Sequence, residues 1–475
     1  MQVRDGFYSV FSVEVVSSRL SASGPQSLQF GRGSVLKVIF LNRYFYPDHS
    51  ATSQMLSDLA FQLAGGGHAV QIITSRLTYE GDWMLSPNES IGNVAIKRVP
   101  TTAFGRDKLL GRTFDYFTFY LSAGFRLALD AEPGDVVVVK TDPPMLSVVA
   151  GPIARIKGAR TINWLQDLFP EIATALGIGR TRTQKWVFSL LRPLRDLTLR
   201  YADANVVLCE RMAERVRKRR VPEERITIIA NWADGNQIRP VERTRNALRK
   251  EWNLKSAFVV GYSGNLGRAH NFETFLTAVA HLEERQRATR SVRIFANAGD
   301  SAWQDDSDAE LMPRQEVRWL FIGGGAQTEK LRRAVQERGY ESVMFRPYQP
   351  RERLSDSLSV PDVHLISLKP NLEGLIVPSK YYGIAAAGRP AIFVGDPDGE
   401  LAGIIEDSNT GFVIRDGDGA GLAEAILKLS RNPELTVEQG TRARRLFEAR
   451  YDFAHAVKAW ESLIRKASGE INPVR

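Results

Sequence analysis

Three short loops combine residue types that can bind phosphate groups or carbohydrate hydroxyls. Glycine-rich turns stand at 261–268 and at 323–325, and a third loop at 373–380 begins with Glu373 and ends with Lys380. Glycines that follow a strand let the backbone approach a phosphate. A carboxylate accepts hydrogen bonds from hydroxyl groups, and an ammonium group before a helix offsets the charge of a diphosphate. Each glycine-rich turn alone is equally well explained as a tight structural turn, but the third loop suits a sugar nucleotide.

Other kinds of site are disfavoured by the residues that the sequence lacks. The patterns G-x-G-x-x-G and G-x-x-x-x-G-K-[ST] are both absent, which argues against a nicotinamide enzyme and a P-loop ATPase. Cys209 is the only cysteine in the sequence, so an intrachain disulfide and a multi-cysteine metal cluster are excluded. The six histidines are scattered without zinc-site spacing, and we therefore expect no metal site.

Predicted strands and helices alternate along the chain. A helical pattern around 55–63 ends at the three glycines 65–67. Short apolar runs predict strands at 35–41, 69–74, 136–139, 161–165, 204–208, 258–262, 317–322, 343–345, 363–366 and 390–394. Because helix-length segments separate most of these strands, the pattern predicts βαβ units and parallel sheets.

The pattern restarts after a linker near 235–255, which predicts two Rossmann-like, doubly wound α/β domains facing across a cleft. We assign residues 35–235 to the first domain and 236–475 to the second, with the last helix packing back toward the first. Residues 1–34 are expected to be a disordered N-terminal extension or an artefact of the assigned start site. In open parallel sheets, ligands bind at the carboxyl ends of the strands, so the site is expected there.

Net positive charge is the one bulk property that needs an explanation. The chain has 475 residues and a formal net charge of +9. Residues 1–235 hold 29 Lys and Arg against 22 Asp and Glu, an excess of +7. The basic residues concentrate at 97–112, 180–200 and 211–220. Solvated helix faces explain most such runs; the alternative is attraction to phosphates on nucleic acid, on a lipid carrier or on an anionic membrane surface.

The aromatic-rich segment 114–129 comes nearest to a membrane-spanning pattern, but it is too short and is interrupted by Asp115 and Arg126. Two interpretations are open. It forms a helix packed on a sheet, which we favour, or it lies in a membrane interface with its basic neighbours. Residues 1–34 lack a signal-peptide pattern. We expect a cytoplasmic protein, with peripheral contact at the inner face of the cell membrane as an open alternative.

A series of motifs, in order along the chain, resembles the GT-B glycosyltransferases of family 4. The motifs are Tyr44-Phe45-Tyr46-Pro47-Asp48, Thr141-Asp142-Pro143-Pro144, Trp164 to Glu171, Asn231-Trp232-Ala233-Asp234, Tyr262 to Arg268, Glu373 to Lys380 and Ala386-Ala387-Gly388-Arg389-Pro390. The resemblance spans about residues 35–451. These variants are most similar to bacterial enzymes of capsule, O-antigen and colanic-acid-type exopolysaccharide and lipopolysaccharide assembly.

The resemblance implies a retaining glycosyltransferase of hexosyl or N-acetylhexosaminyl type. Such an enzyme moves a sugar from a nucleoside diphosphate sugar to a saccharide or polyprenyl-diphosphate-linked acceptor, with no metal and no cofactor besides the donor. Side chains and backbone N–H groups must then stabilise the charge on the leaving diphosphate. A GT-B sugar-nucleotide epimerase that needs no acceptor is the main alternative. A basic nucleic-acid-binding protein is a weaker one, and we expect no nucleic-acid partner.

The resemblance also assigns roles to individual residues. Glu373 corresponds to the residue that contacts the donor sugar, and Asp167 is the candidate for orienting or deprotonating the acceptor. Asp167 could instead cap a helix, with Glu171 four residues later; a cap is also the alternative for His270, and simple packing for Tyr348. The predicted donor-binding residues are Gly264, Asn265, Arg268, His270, Tyr348, Gly374, Leu375, Ser379 and Lys380. The predicted acceptor-side residues are Tyr46, Asp48 and Pro143.

Overall fold

The computed structural model describes residues 35–48, 50–78, 84–104, 109–178, 181–296 and 316–470. The predicted N-terminal extension, residues 1–34, lies outside the described residues. Through the described parts, strands alternate with helices and assemble into two sheets. This confirms the predicted α/β fold class with two Rossmann-like parallel sheets.

The first sheet is built from the apolar runs of the first half of the chain. Its strands are β1 (Lys37–Leu41), β2 (Ala69–Ser75), β3 (Asn88–Ile91), β4 (Val94–Val99), β5 (Val136–Lys140), β6 (Arg160–Trp164), β7 (Ala204–Val207) and β8 (Ile226–Ile228). They lie side by side in the order β3-β4-β2-β1-β5-β6-β7-β8. Strands β4, β2, β1, β5, β6 and β7 pair in parallel, whereas the polar edge strand β3 pairs antiparallel with β4.

Helices connect these strands because parallel neighbours require long crossover connections. The helices of this half are α1 (Ala51–Gly65), α2 (Leu109–Asp130), α3 (Leu146–Ile156), α4 (Glu171–Ala175), α5 (Arg182–Tyr201) and α6 (Glu210–Arg217). Helix α2 buries Phe119, Ala123 and Leu127 in a core shared with β1 and β5. The favoured interpretation of segment 114–129, a helix packed on the sheet, therefore holds for one side of this helix.

The second sheet has the strand order of a nucleotide-binding Rossmann fold. Its strands are β9 (Phe258–Ser263), β10 (Val317–Ile322), β11 (Val343–Arg346), β12 (Val363–Ser367), β13 (Ala391–Gly395) and β14 (Gly411–Arg415). Their spatial order is β11-β10-β9-β12-β13-β14, and all pairs are parallel. Numbered within this half, the order is 3-2-1-4-5-6, which reverses between the first and the fourth strand.

The remaining helices cover this second sheet and complete the chain. They are α7 (Ala247–Glu251), α8 (Glu273–Ala296), α9 (Thr328–Glu337), α10 (Leu354–Ser359), α11 (Lys380–Ala386), α12 (Glu400–Asp407), α13 (Gly419–Arg431), α14 (Pro433–Arg450) and α15 (Phe453–Ser468). Buried aromatic side chains, among them Tyr262, Phe275 and Trp319, form the core between the sheet and α8. None of the described helices is both long and apolar enough to cross a membrane.

Contacts divide the chain into two compact units. One holds the described residues of Met1–Leu165, Leu194–Val206 and Ala459–Arg475, and the other holds those of Gln166–Pro193 and Val207–Lys458. The division predicted from the sequence, at 235/236, stays a prediction.

A lysine is buried at the end of a central strand of the first sheet. Lys140 is 1% exposed, and its Nζ lies 3.5 Å from the centroid of the Trp164 ring, which in turn packs on Trp460 at 4.6 Å between centroids. Burial lowers the pKa of Lys140 to about 7, although the nearby charge of Asp142 opposes this effect. The folded chain therefore holds the ammonium form less readily than the unfolded chain does.

Replacing Lys140 by methionine should remove a pH dependence of stability. Between the folded pKa of about 7 and the ordinary value of 10.5, the unfolded chain binds more protons. The unfolding free energy of the wild type therefore rises with pH, by at most about 1.4 kcal/mol per pH unit. Urea unfolding followed by tryptophan fluorescence, at about pH 7 and about pH 9, is expected to show the wild type gaining stability relative to Lys140→Met. A constant difference between the two proteins would contradict the buried charge.

Candidate active site

The second sheet places its loops where the strand order reverses, between β9 and β12. At such a reversal the crossover helices lie on opposite faces of the sheet, which leaves a crevice at the carboxyl ends of the strands. The turn at 264–268 follows β9, the loop at 368–379 follows β12, and the glycines at 323–325 follow the neighbouring strand β10. The three loops that were predicted from their chemistry therefore lie at one edge of one sheet.

Backbone hydrogen bonds fasten two of these loops together. The N–H of Gly264 donates to the carbonyl of Ile322 at 2.8 Å, and the N–H of Leu266 donates to Gly324 at 2.7 Å. Gly264 and Gly323 have φ angles of +107° and +120°, which favour glycine. A Cβ atom on Gly323 would stand 2.6 Å from the carbonyl oxygen of Gly264. Glycine is therefore required here by the close approach of the two loops.

Lys380, at the first position of α11, points back to the turn that follows β9. Its ammonium donates to the carbonyl of Asn265 at 3.0 Å and lies 4.9 Å from the centroid of the Tyr262 ring. Burial lowers the pKa of Lys380 to about 8. The structure therefore places Lys380, which was predicted to bind the donor, beside the glycine-rich turn; its role in binding stays a prediction.

His270 is a neutral partner of Lys380. Its Nδ1 lies 2.5 Å from the carbonyl oxygen of Ser367, and its Nε2 lies 3.3 Å from the Lys380 ammonium. A carbonyl only accepts, so Nδ1 carries the hydrogen and Nε2 accepts from the lysine. Burial, followed by the charge of Lys380, lowers the pKa of His270 to about 4. Both ring nitrogens of His270 are thus engaged away from the start of α8, where the side-chain oxygen of Asn271 accepts from the N–H of Glu273.

Glu373 is held by hydrogen bonds both at its carboxylate and at its main-chain carbonyl. Its Oε1 accepts from the N–H of Glu400 at 2.9 Å, at the start of α12. Its main-chain carbonyl accepts two hydrogen bonds from the Arg215 guanidinium, at 3.0 and 2.5 Å. Burial raises the pKa of the Glu373 carboxyl, and the hydrogen bond from Glu400 opposes this effect. Gly374 follows at φ +71°, and a Cβ atom there would stand 2.8 Å from Nε of Arg215 and 3.0 Å from the carbonyl oxygen of Arg211.

The loop that carries Asp167 is joined to the Glu373 loop by its backbone. The N–H of Leu168 donates to the carbonyl of Leu375 at 3.1 Å, and Asp167 forms an antiparallel bridge with Ile376. Helix α4 begins at Glu171, and its N-cap position is Pro170, so Asp167 is not the N-cap residue. The two predicted catalytic carboxylates are therefore carried by two loops that pair with each other through their backbones.

The other predicted donor-binding residues differ in exposure. Asn265, Arg268 and Ser379 are exposed, Leu375 is buried at 3% exposure, and Tyr348 is 60% exposed. The Tyr348 ring lies beside the glycines at 323–325, since a Cβ on Gly323 would approach it to 3.0 Å. These positions place polar, cationic and aromatic groups around the glycine-rich loops.

The predicted acceptor-side residues lie at the corresponding reversal of the first sheet, between β1 and β5. The loops after these strands are joined by the N–H of Arg43, which donates to the carbonyl of Asp142 at 2.7 Å. Asp48 is buried at 8% exposure and its Oδ1 accepts from the N–H of Ser50. Tyr46 is half-buried and Pro143 is buried. The peptide bonds Tyr46–Pro47, Asp142–Pro143 and Phe169–Pro170 are cis.

A group of charges that sequence reasoning did not single out surrounds Asp142. Burial raises the pKa of the Asp142 carboxyl, and the charges of Arg43, Lys140 and Arg112 oppose this effect. Arg43 also lies over the Tyr116 ring at 5.0 Å. The only sequence signal was the position of Asp142 in the Pro-Pro motif, because Arg43, Lys140 and Arg112 are far apart along the chain.

No group of three or more His, Cys, Asp and Glu side chains that could hold a metal ion is present among the described residues. The residues predicted for the site are glycine backbone, the cations Arg268 and Lys380, and the carboxylates Asp167 and Glu373.

Models of two known protein families match the chain. The glycosyl transferase 4-like domain matches residues 51–232, and glycosyl transferases group 1 matches residues 244–446. The chain belongs to the GT-B glycosyltransferases of family 4. The predicted resemblance and the predicted glycosyltransferase activity are thereby confirmed.

Individual proteins agree with this family. The probable glycosyltransferase WbjE of Pseudomonas aeruginosa is 26% identical over 67% of this chain and 70% of its own length. The putative colanic acid biosynthesis glycosyl transferase WcaI of Escherichia coli K12 is 24% identical over 78% of this chain and 86% of its own. The crystal structure of HepE from Anabaena in complex with UDP-glucose covers 92% of this chain and 100% of that one, with a TM-score of 0.62 and 15% identity. This last similarity shows the fold alone.

In this glycosyltransferase, most arginines of the basic run 211–220 form hydrogen bonds or ion pairs with other residues of the chain. Arg211 donates to the carbonyl of Asp398 at 2.7 Å, and Arg215 holds the Glu373 carbonyl. Arg217 pairs with Glu210 and Glu223, and Arg219 pairs with Glu171 at 2.9 Å. Sequence reasoning took these arginines for surface charge. The structure shows that Arg215 supports the loop that carries Glu373, and that Arg211 holds the turn at Asp398.

Replacing Gly323 by alanine should damage the site, whereas the same change at Gly324 should not. The Gly323→Ala methyl group meets the Gly264 carbonyl at 2.6 Å from a backbone at φ +120°, while the nearest atom to a Cβ on Gly324 is 3.5 Å away. We expect Gly323→Ala to cost about 1–3 kcal/mol of stability and to weaken binding of a nucleoside diphosphate. The measurement is the thermal midpoint of both variants with and without nucleoside diphosphates. An equal nucleotide-induced rise in both would contradict the required close approach.

Proposed function

We propose that this glycosyltransferase moves a sugar, with retention of anomeric configuration, from a nucleoside diphosphate sugar to a lipid-linked or saccharide acceptor in cell-surface polysaccharide biosynthesis. The observation that carries the proposal is the backbone pairing of the Asp167 and Glu373 loops beside Lys380 at the strand-order reversal. The name of WcaI, a putative colanic acid biosynthesis glycosyl transferase, supports the polysaccharide context.

The donor diphosphate is assigned to the glycine-rich loops. Developing negative charge on a leaving diphosphate is stabilised most by fixed dipoles and cations in a partly desolvated site. Here the backbone of 264–268 and 323–325, the Lys380 ammonium and the exposed Arg268 guanidinium supply such groups. We assign this stabilisation to these groups and not to a metal ion. Uridine is the base we propose first, because the structure of HepE contains UDP-glucose.

Glu373 is proposed to hold hydroxyl groups of the donor sugar. Its Oε1 is engaged by the N–H of Glu400, which fixes the carboxylate and leaves further lone pairs on both oxygens for hydroxyl donors. The Arg215 contacts hold the main chain of the same residue, so the carboxylate does not depend on a flexible loop for its position. Whether the sugar is of hexosyl or N-acetylhexosaminyl type is decided by a panel of UDP-sugars with this protein.

Asp167 is proposed to orient or deprotonate the acceptor hydroxyl. A carboxylate can do this when it lies within hydrogen-bond reach of the hydroxyl and is held in a fixed place. The bridge between Asp167 and Ile376 fixes its main chain against the loop that follows Glu373. The acceptor is proposed to be a saccharide on a polyprenyl diphosphate, which would place the reaction at the cytoplasmic face of the cell membrane.

Conservative changes at the two carboxylates test this function. Asp167→Asn and Glu373→Gln keep the size and a hydrogen-bond acceptor, so Glu373→Gln retains the acceptor for the Glu400 N–H that Glu373→Ala removes. We expect each conservative variant to lower kcat about 10²–10⁴-fold with an unchanged thermal midpoint, while Glu373→Ala also unfolds at lower temperature.

The assay for these variants is sugar transfer from UDP-sugars to a saccharide acceptor, with a parallel incubation of donor alone. Near-wild-type transfer in Asp167→Asn and Glu373→Gln would refute the site. Conversion of the donor to its epimer without acceptor would favour the epimerase alternative.

UDP binding should weaken above about pH 8, because the pKa of Lys380 in the free protein is about 8. Below this pH the lysine is charged and attracts the diphosphate; above it the proton must be taken up on binding. The dissociation constant should rise by up to about tenfold per pH unit beyond that pKa. Isothermal titration of UDP from about pH 7 to about pH 9 measures it, with Lys380→Met as the control that binds weakly and without this dependence. A flat wild-type profile would remove Lys380 from the phosphate site.

A further inference from the structure

Three neighbouring helices of the first half expose an unusual amount of apolar surface. Of the 18 exposed large hydrophobic side chains among the described residues, 12 lie on α2, α3 and α5. On α2 they are Phe114, Phe117, Leu121, Phe125 and Leu129; on α3, Ile156; and on α5, Trp186, Val187, Leu190, Leu194, Leu197 and Tyr201. We call these twelve side chains the outer apolar face.

Helix α2 is apolar on two opposite sides, of which one is covered. The inner side buries Phe119, Ala123 and Leu127 at 0% exposure. The outer side leaves Phe117 and Phe125 exposed at 55% and 69%. A helix that is hydrophobic all round is expected to be buried all round. The described residues therefore leave the outer side of this helix uncovered.

Helix α5 repeats this arrangement. Leu199 is buried on its inner side at 1% exposure, whereas Trp186 is exposed at 64% and Tyr201 at 60%. Its exposed apolar residues recur every three or four positions, so they form one stripe along the helix. Exposed tryptophan and tyrosine on an apolar stripe are typical of a surface that meets the headgroup region of a bilayer.

Contacts through α3 make the stripes neighbours. A Cβ on Gly124 of α2 would stand 2.8 Å from the Val149 side chain of α3, so these helices touch closely. The Ser147 and Thr198 hydroxyls are hydrogen-bonded at 3.1 Å, and the Arg155 guanidinium lies over the Tyr201 ring at 5.4 Å, so α3 also touches α5. The outer apolar face is therefore carried by three helices in contact.

The exposed charges on these helices are basic. Each of their three carboxylates is buried or paired: Asp115 is 3% exposed, and Asp130 and Asp196 accept from Arg126 and Arg195. Five cations are exposed instead, namely Arg112, Arg155, Arg182, Lys185 and Arg192. An apolar stripe flanked by cations complements a layer of anionic headgroups above acyl chains.

We infer that the outer apolar face docks the protein on an anionic lipid bilayer. The charge decides between this occupant and a second copy of the chain, because a symmetric pairing of two such faces would bring their cations together. In the bilayer the aromatic and aliphatic side chains enter the interface, and the flanking cations meet lipid phosphates. Docking on the bilayer would bring the protein to the lipid-linked acceptor of the proposed function. The test of the inference does not use sugar transfer.

Vesicle binding by matched variants tests the docking face. The test variant is Phe117→Gln/Leu121→Gln/Phe125→Gln, all on the outer side of α2. The control is Met84→Gln/Ile228→Gln/Val437→Gln, three exposed apolar residues elsewhere, at 69%, 45% and 68% exposure. Binding is measured as co-sedimentation with vesicles of phosphatidylglycerol and phosphatidylethanolamine. We expect the test variant to lose at least about tenfold in partitioning and the control to bind like the wild type.

The contribution of charge is measured separately. Arg182→Gln/Lys185→Gln/Arg192→Gln should abolish the preference for phosphatidylglycerol over neutral vesicles, whereas Lys250→Gln/Lys255→Gln/Lys458→Gln, which removes three exposed cations elsewhere, should retain it. All variants should keep the wild-type thermal midpoint and its rise with UDP, which shows that the fold and the donor site are intact.

Three results would overturn the inference. The first is a wild-type protein that does not sediment with anionic vesicles. The second is a test variant that binds as well as the wild type. The third is a wild-type dimer, by sedimentation velocity without vesicles, that the test variant converts to a monomer, because the face would then be a contact between copies. Loss of transfer to a water-soluble acceptor bears on the proposed function alone.

Discussion

The reversal of strand order in each parallel sheet is the constraint on which the candidate site depends. Away from a reversal, successive crossover helices stack on the same face and close over the strand ends. Between β9 and β12 they diverge, and the loops that leave these strands can turn toward a common ligand. The glycine-rich turn and the Glu373 loop occupy these two positions. The Tyr46 and Pro143 loops occupy the equivalent positions, after β1 and β5, in the first sheet.

Backbone atoms, more than side chains, hold the loops of the donor site in place. Gly264, Leu266 and Leu168 donate to carbonyls of other loops, and Arg215 donates to the carbonyl of Glu373. An unpaired buried peptide group costs about 1–3 kcal/mol, so these pairings resist any rearrangement that would separate the loops. Because the loops are fixed in this way, Glu373 and Lys380 can remain partly desolvated charges, which interact more strongly with a ligand than solvated charges do.

The sequence predicted most of the sheet strands because fully buried parallel strands are continuous apolar runs, as at 136–139. It missed β3 and β4, because β3 is polar and exposed and because Lys97 and Arg98 of β4 were considered only as charges. The available signal was the Gly92-Asn93 turn between these strands, whose positive φ angles are typical of a hairpin. The site loops were found from glycines and charged residues at strand ends. The supporting contacts of Arg215 were not, since its partner Glu373 lies 158 positions away.

The basic excess of the first half has two different physical causes. Arginines of 211–220 bond to carbonyls and carboxylates, so their charge is largely neutralised or used to hold the Glu373 loop. On α5, by contrast, Arg182, Lys185 and Arg192 are exposed beside an apolar stripe. Residue counts cannot separate these cases because both are runs of Lys and Arg in helices. The distinction rests on whether an acceptor lies within reach, and that is fixed by residues distant in the sequence.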